Sequence, residues 1–479
     1  LDDLILNALE KIDRRPAAWR TAFITLLTCL LYMGTGLMTG CGGSSSSSPK
    51  PTPTAMPTTD IPNSGTGRVT AQPGWTQNNT AYQQNRKKWT FLVYMNGANN
   101  LEEYGSLNVN QMEQVGSTNN VNVVVQFKRI KGFDSSNGNW LDSRRYYVQK
   151  DADTKTINSL LLSSRSDSDM GKWQTLREFV DWGVTNYPAD RYCLVIWNHG
   201  AGWRTAKLGT SRGISYDDAT GNHIDTIEMP KAIDLAGLLG NGKKWDVLAF
   251  DASLMQMAEV SYEIRDKVQF ITGSEESPPG EGYPYQLFLA DLASNPDWSG
   301  RDFALDIVQK TIDGYNQNYP GRAPDITQSA LDASKIGDIA PAVNDLGKAL
   351  YNVRLSYSDA IIAARSDSES YAYPYYHDLL DFTRRLTEPF PGTTGAPVPD
   401  AAVQNAIIRV RQTVNAAVIK NVHGSDHPRA TGLSIYLPSP AEFDNIDEEQ
   451  ANGWGQRYNK LAFSSAAPEW MNFLMNGPR

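Results

Sequence analysis

Cysteine is nearly missing from this chain of 479 residues: three occur, Cys29, Cys41 and Cys193. The first two lie in an N-terminal apolar segment, which leaves one for the remainder. One thiol cannot build an intramolecular disulfide framework or a zinc site. Cys193 falls inside the apolar run Tyr192–Trp197, so a buried, inert thiol is expected. Basic residues are also in the minority, 44 Lys plus Arg against 53 Asp plus Glu, for a net charge of −9. That balance argues against a nucleic-acid partner and permits cationic ones. Metal-ligand patterns are absent as well. His423 and His427 flank Gly424 and precede Pro428, so they do not share a helix face. The pairs Asp151/Asp153, Asp167/Asp169 and Asp217/Asp218 lack EF-hand spacing and read as solvated loop carboxylates. No metal site and no cofactor is expected, with calcium the one ion left open. What is present suffices for a sizeable core: hydrophobic residues make up 40% of the chain and charged residues 20%.

The N-terminus carries an export address. Arg14, Arg15 and Arg20 form a basic region, and Thr21–Met38 is mostly apolar. Leu37-Met38-Thr39-Gly40-Cys41 then resembles a bacterial lipobox, with Cys41 the residue to be acylated, although Met38 is a less usual residue for its place. A signal anchor spanning the membrane is the rival reading, and Gly34, Gly36 and Gly40 fit a cleavage region better. The chain starts at Leu1 rather than at a methionine, so the start of the gene product is expected elsewhere. Five serines at 44–48 and prolines at 49, 51, 53 and 57 cannot support a core and describe a semi-extended spacer. The organisation expected is a signal peptide and lipobox over 1–41, a disordered tether over 42–87, and one domain over 88–479. The protein would be an exported bacterial lipoprotein, held to a membrane through Cys41 on the periplasmic or cell-surface side.

Within the domain, Trp89–Met95, Val121–Phe127, Tyr192–Trp197 and Trp245–Phe250 are short apolar runs that read as strands buried on both faces. Arg145–Val148 and Val268–Thr272 are further strand candidates. Helical patterns fall near 106–115, 173–184 and 254–264, and from about 300 onward near 302–316, 337–355 and 402–418. Gly432–Pro438 reads as a late strand. Strands alternating with helices over short connections predict an α/β fold, a mostly parallel sheet covered on both sides, with a helix-rich C-terminal part.

Ligands of open α/β sheets bind beyond the carboxyl ends of the strands. One such end continues as Asn198-His199-Gly200, another as Asp251-Ala252-Ser253-Leu254. His199 can serve as a base, Gly200 can offer a backbone N–H to an oxyanion, and Ser253 at a helix start would gain from the helix dipole. On residue pattern alone this is a His/Ser pair for acyl transfer. A surface histidine and a helix-capping serine are the plainer alternative.

Several segments resemble the clostripain family of cysteine peptidases, which share the caspase-like fold. They are TFLVYMNGANNLE with NQMEQVGS, the histidine segment VIWNHGAGW, the nucleophile segment LAFDASLMQMAEVSYEI, and the later SEESPPGEGYPY and GLSIYLP. They run in order from Thr90 to Pro438. The resemblance implies that His199 is the catalytic histidine and that Ser253 stands where the family has its nucleophilic cysteine. It further implies that Asp251, and Glu281 where an Asp is expected, shape a pocket for Arg or Lys. Arg212, between the two motifs, is a candidate processing site.

Serine at this place changes the chemistry. A thiol is partly ionised near neutral pH, whereas a hydroxyl must lose its proton in the transition state to a closely aligned base, usually one oriented by a carboxylate. Losing well-placed activation costs on the order of 10²–10⁶ in rate. The expectation is a strongly impaired or inactive peptidase that would cleave after Arg or Lys if active. The alternatives are a non-catalytic binder of basic peptide segments and, third, a serine-type peptidase. A monomer that takes a peptide or protein containing Arg or Lys is expected.

Overall fold

Four apolar runs dictate the centre of the molecule. In the computed structural model, which describes residues 72–78, 85–203, 213–240, 242–388, 397–449 and 458–479, each run is a strand. In chain order the strands are Thr76–Gln77 (β1), Lys87–Asn96 (β2), Val121–Lys128 (β3), Ser143–Tyr147 (β4), Leu160–Arg165 (β5), Ala189–Trp197 (β6), Ile214–Asp217 (β7), Asn222–Ile224 (β8), Trp245–Asp251 (β9) and Val268–Gly273 (β10). Thr327–Asp332 (β11), Tyr376–Asp378 (β12), Val418–His423 (β13) and Ser434–Tyr436 (β14) complete the set. A ten-stranded sheet runs β1-β5-β4-β3-β2-β6-β9-β10-β11-β13. Its centre, β3-β2-β6-β9-β10, is parallel, and both margins are antiparallel. The pairs β7–β8 and β12–β14 form small separate sheets.

Alternation sorts the central strands onto two cores. Phe91, Val93 and Met95 of β2, Val195 and Trp197 of β6, and Val247 and Ala249 of β9 share one face. Against it pack helices Glu102–Glu113 (α1), Tyr285–Ser294 (α2) and Gly300–Asn318 (α3), the last begun by a Ser299/Asp302 capping box. Leu92, Tyr94, Leu194, Ile196, Leu248 and Phe250 face the other core, which extends without a break to Trp470 and Leu474. The C-terminal helices are therefore a layer of the same core. Because both faces are covered, the central strands carry apolar side chains pointing both ways.

Two expectations change. The segment Leu254–Met257 is not helical: the helix runs only over Ala258–Ile264. Leu254 has φ +63°, and Leu254 and Gln256 donate their backbone N–H groups to Glu276 and Ser274, so the segment follows the chain beyond β10 instead. The tether expected over 42–87 is also shortened. Residues 72–78 dock on the sheet edge, where Thr76 and Gln77 pair with Ser164 and Ser163. Trp75 anchors them, its ring 3.7 Å from the Arg145 guanidinium and its Nε1–H donating to Glu178 at 2.5 Å. Cys41 and the rest of residues 1–41, expected to be an export address, lie outside the described residues, as does Arg212. Among the described residues, no helix is long and apolar enough to cross a membrane.

Candidate active site

Three parallel strands end side by side at one edge of the sheet. Met95 of β2 is level with Trp197 of β6, and Trp197 with Asp251 of β9. The residues immediately beyond these ends form the site.

Asn198 ties the ends together. Its Nδ2 donates to the Asn96 carbonyl and, at 3.0 Å, to that of Tyr216 in β7, while its Oδ1 accepts the Tyr216 N–H at 2.8 Å. His199 is thereby fixed at the mouth. Its Nε2 lies 2.7 Å from the Asn100 Oδ1, and its ring meets the Tyr216 ring edge-on at 6.5 Å. Burial pushes the imidazole down to about 4, so it is neutral at pH 7. Gly200 touches the neighbouring turn directly: a Cβ there would stand 2.3 Å from the Ser253 carbonyl oxygen. Only glycine permits this approach.

Ser253 lies two residues past β9, half-buried, in the turn that Leu254 completes in the left-handed region. A non-glycine residue held there costs roughly 1–3 kcal/mol, and such strain concentrates at functional turns. The next helix starts five residues later, at Ala258, so its dipole gives Ser253 no activation. The Ser253 Oγ accepts from the Ser277 hydroxyl at 3.1 Å. Among the described residues, no hydrogen bond joins His199 to Ser253: the imidazole is bonded to Asn100 and the hydroxyl to Ser277.

The acids sit beside this pair. Asp251 is buried and accepts the Tyr283 N–H at 3.1 Å and the Tyr285 hydroxyl at 2.7 Å. Burial pushes its carboxyl up to about 7 against these two hydrogen bonds. Gly282, at φ +64°, passes so close that a Cβ would be 2.9 Å from both carboxylate oxygens. Glu281 is an ion partner of Arg322 at 3.4 Å, with side chains 12% and 53% exposed. Its Oε2 is buried without a hydrogen-bond partner. Asn108 links these loops, accepting from the Trp197 indole at 2.7 Å and donating to the Glu281 carbonyl at 2.9 Å.

The remaining candidates are held elsewhere. Cys193 is fully buried in β6, which pushes its thiol well above the ordinary range. His427 bonds Glu369 at 3.2 Å and lies 4.0 Å from Glu276, an ion-pair setting. Asp217 pairs with Lys128 at 2.6 Å, while Asp151 and Asp169 accept backbone N–H groups in turns. Among the described residues, no group of three His, Cys, Asp or Glu could hold a metal ion. Sequence reasoning missed Asn96, Asn99, Asn100 and Asn198, and also Ser277, Tyr283 and Tyr285. The four asparagines had a signal, clustering as they do just past strands β2 and β6.

Comparison with known proteins bears on the fold and the family. Clostripain of Hathewaya histolytica is 25% identical over 292 residues, which are 57% of this chain and 53% of that protein. The chain thus matches about half the length of that curated relative. An inactive zymogen C11 protease from Parabacteroides distasonis has a related structure, with TM-score 0.57 and 20% identity over 80% of this chain and 99% of its own. So has a secreted C11 cysteine protease from Bacteroides thetaiotaomicron in complex with an irreversible peptide inhibitor, with TM-score 0.55 and 20% identity over 79% and 98%. These two structures share the sheet-and-helix fold described above. The model of the clostripain family, Peptidase C11, matches residues 93–476, and the chain belongs to that family.

Proposed function

We propose that this protein is an exported, lipid-anchored clostripain-type peptidase scaffold that binds peptides through Arg or Lys and, with serine at 253, hydrolyses them little or not at all. In the reading we favour, residue 253 occupies the nucleophile's place and His199 is the acid/base. The N–H of Gly200 serves the oxyanion, and Asp251 with Glu281 reads the basic side chain. The observation that carries it is the pairing of hydroxyls at the β9 end. The Ser253 Oγ is engaged by Ser277, and the neutral imidazole beside it faces an amide rather than a carboxylate. A thiol tolerates that arrangement because it ionises readily, whereas a hydroxyl needs a base whose developing charge is stabilised. Support for a basic side chain comes from Glu281, whose loop already accepts the Arg322 guanidinium and keeps one carboxylate oxygen unbonded. A buried Asp251 that is partly protonated at pH 7 would ionise as a cation approaches. Cys41 supplies the anchor in this reading and Arg212 the processing point.

The test compares the full chain with Ser253→Cys on fluorogenic peptides ending in Arg, Lys or Leu. Activity confined to the cysteine form, and to Arg or Lys, is expected. Equal activity of the serine form, abolished by His199→Ala, would make it a serine peptidase. Silence of both forms, with no binding of Arg peptides by calorimetry, would overturn the assignment of the site.

A further inference from the structure

A neutral imidazole has one N–H, and which nitrogen carries it decides what a histidine can do. In this site the ring nitrogen Nε2 meets a residue from the first strand end. The loop that follows β2 is pinned along its length. Gly97 donates its N–H to the Lys128 carbonyl at 2.9 Å, Ala98 donates to the Asn96 side chain at 3.2 Å, and the Ala98 carbonyl accepts from Asp218 at 2.8 Å. Asn99 is fully engaged: its Nδ2 donates to the Tyr216 carbonyl at 3.0 Å and its Oδ1 accepts the Leu101 N–H at 2.9 Å. Gly97 packs so closely beneath the Phe127 ring that a Cβ there would stand 2.7 Å from it. A loop so fixed delivers Asn100, the next side chain, to the His199 Nε2 at 2.7 Å. A preorganised partner of this kind is how a scaffold sets the orientation of a working group.

We infer that Asn100 is the positioning residue of His199: its side-chain carbonyl accepts the Nε2–H, holds that tautomer, and leaves Nδ1 with the lone pair that takes the proton of residue 253. This rests on the reading of His199 as the acid/base. In the resulting step the proton of residue 253 passes to Nδ1 while the sulfur or oxygen bonds the peptide carbonyl carbon. The C=O π electrons move onto oxygen; as they return, the C–N bond breaks, the same proton goes from Nδ1 to the departing amine, and the acyl group stays on residue 253 for water to remove. Asn100 keeps the Nε2–H throughout. Being neutral, it orients the ring without stabilising the imidazolium as a carboxylate would. The arrangement therefore suits a thiol and serves a hydroxyl poorly, which ties Asn100 to the consequence of Ser253.

The groups facing His199 among the described residues are few. Asn100 comes from the β2 loop and the Tyr216 ring from β7, with His223 stacked on Tyr216 at 5.8 Å and itself paired with Asp225 at 3.0 Å. None of the charged groups contacts the imidazole.

The test has two arms. In the Ser253→Cys form of the full chain, Asn100→Ala is expected to lower kcat by about tenfold to a hundredfold with KM little changed. Asn100→Asp should keep more of the rate and move the acidic limb of the pH profile upward by about 1–3 units, because a carboxylate favours the imidazolium. In the unaltered chain, nitrogen NMR of labelled histidine, with His199→Ala to assign the signal, should report the Nε2–H tautomer. Asn100→Ala should lose that preference, and Asn100→Asp should raise the titration midpoint of His199. An Nδ1–H tautomer, or a tautomer and pH limb indifferent to both substitutions, would overturn the inference. If Ser253→Cys proves silent, the catalytic reading fails while the NMR arm still decides the Asn100 contact.

Discussion

The two halves of the site are held in different ways. The histidine half, at the ends of β2 and β6, is bound by a lattice of amide hydrogen bonds through Asn96, Asn99, Asn100 and Asn198, each with defined partners. The Ser253 half, at the end of β9, is a single turn with Leu254 in the left-handed region, and the Ser253 side chain is held by a hydroxyl pair with Ser277. Gly200 presses the first half against the second. On the proposed reading, the histidine half is preorganised for acid/base work and the departure that matters most is oxygen for sulfur at residue 253.

That comparison orders what substitutions should do. Ser253→Cys is expected to have the largest effect, a gain of at least about 10² in hydrolysis of Arg or Lys peptides, read by initial rates. Gly200→Ala should undo it: the added methyl cannot coexist with the Ser253 carbonyl at 2.3 Å, so the two halves must part. We expect loss of most of the rate gained, with a fall in stability of about 1–3 kcal/mol in urea unfolding. Should Gly200→Ala retain full rate, the halves are not coupled as described.

Asp251 sets a pH dependence. Its carboxyl is raised to about 7 by burial, against the Tyr285 and Tyr283 hydrogen bonds. A carboxyl raised on folding contributes stability that is fully present below its unfolded value near 4 and is lost as pH rises through 7. Unfolding free energy should therefore decline between about pH 4 and pH 7, by up to about 4 kcal/mol from this group, and Asp251→Asn should flatten the decline. An identical slope in the variant would show that Asp251 is charged in the folded chain at neutral pH. Ser277→Ala should have the smallest effect. It removes one partly exposed hydroxyl pair, worth under about 1 kcal/mol, and should alter the rate of the cysteine form by less than about threefold.

Legibility follows burial. The parallel centre could be read because strands covered on both faces hold runs of consecutive apolar residues: Phe91 and Leu92 point to opposite cores, and both are hydrophobic. The antiparallel margins were legible only in part, at Arg145–Val148. Thr327–Asp332 and Val418–His423 mix polar and apolar residues because their neighbours come from remote parts of the chain, and β13 is only half-buried. Leu254-Met255-Gln256-Met257 looked helical because all four are suited to a helix. Yet each is buried, and two of their N–H groups are taken by Glu276 and Ser274. In the polar stretch before the domain, Trp75 was the one tryptophan, and it docks on the sheet edge. The positions of His199, Gly200 and Ser253 just beyond strand ends were legible. Asn100 was not, because its role exists only once β2 and β6 lie side by side.

The central claim, an intact acid/base half beside a nucleophile disabled by one atom, is tested most directly by covalent capture. The full chain and its Ser253→Cys form would be treated with a peptide electrophile ending in Arg, and their intact masses compared. The account predicts a single adduct on the cysteine form, lost with His199→Ala and retained with Cys193→Ser, and none on the serine form. An adduct on the serine form at a comparable rate, or none on either, would contradict it.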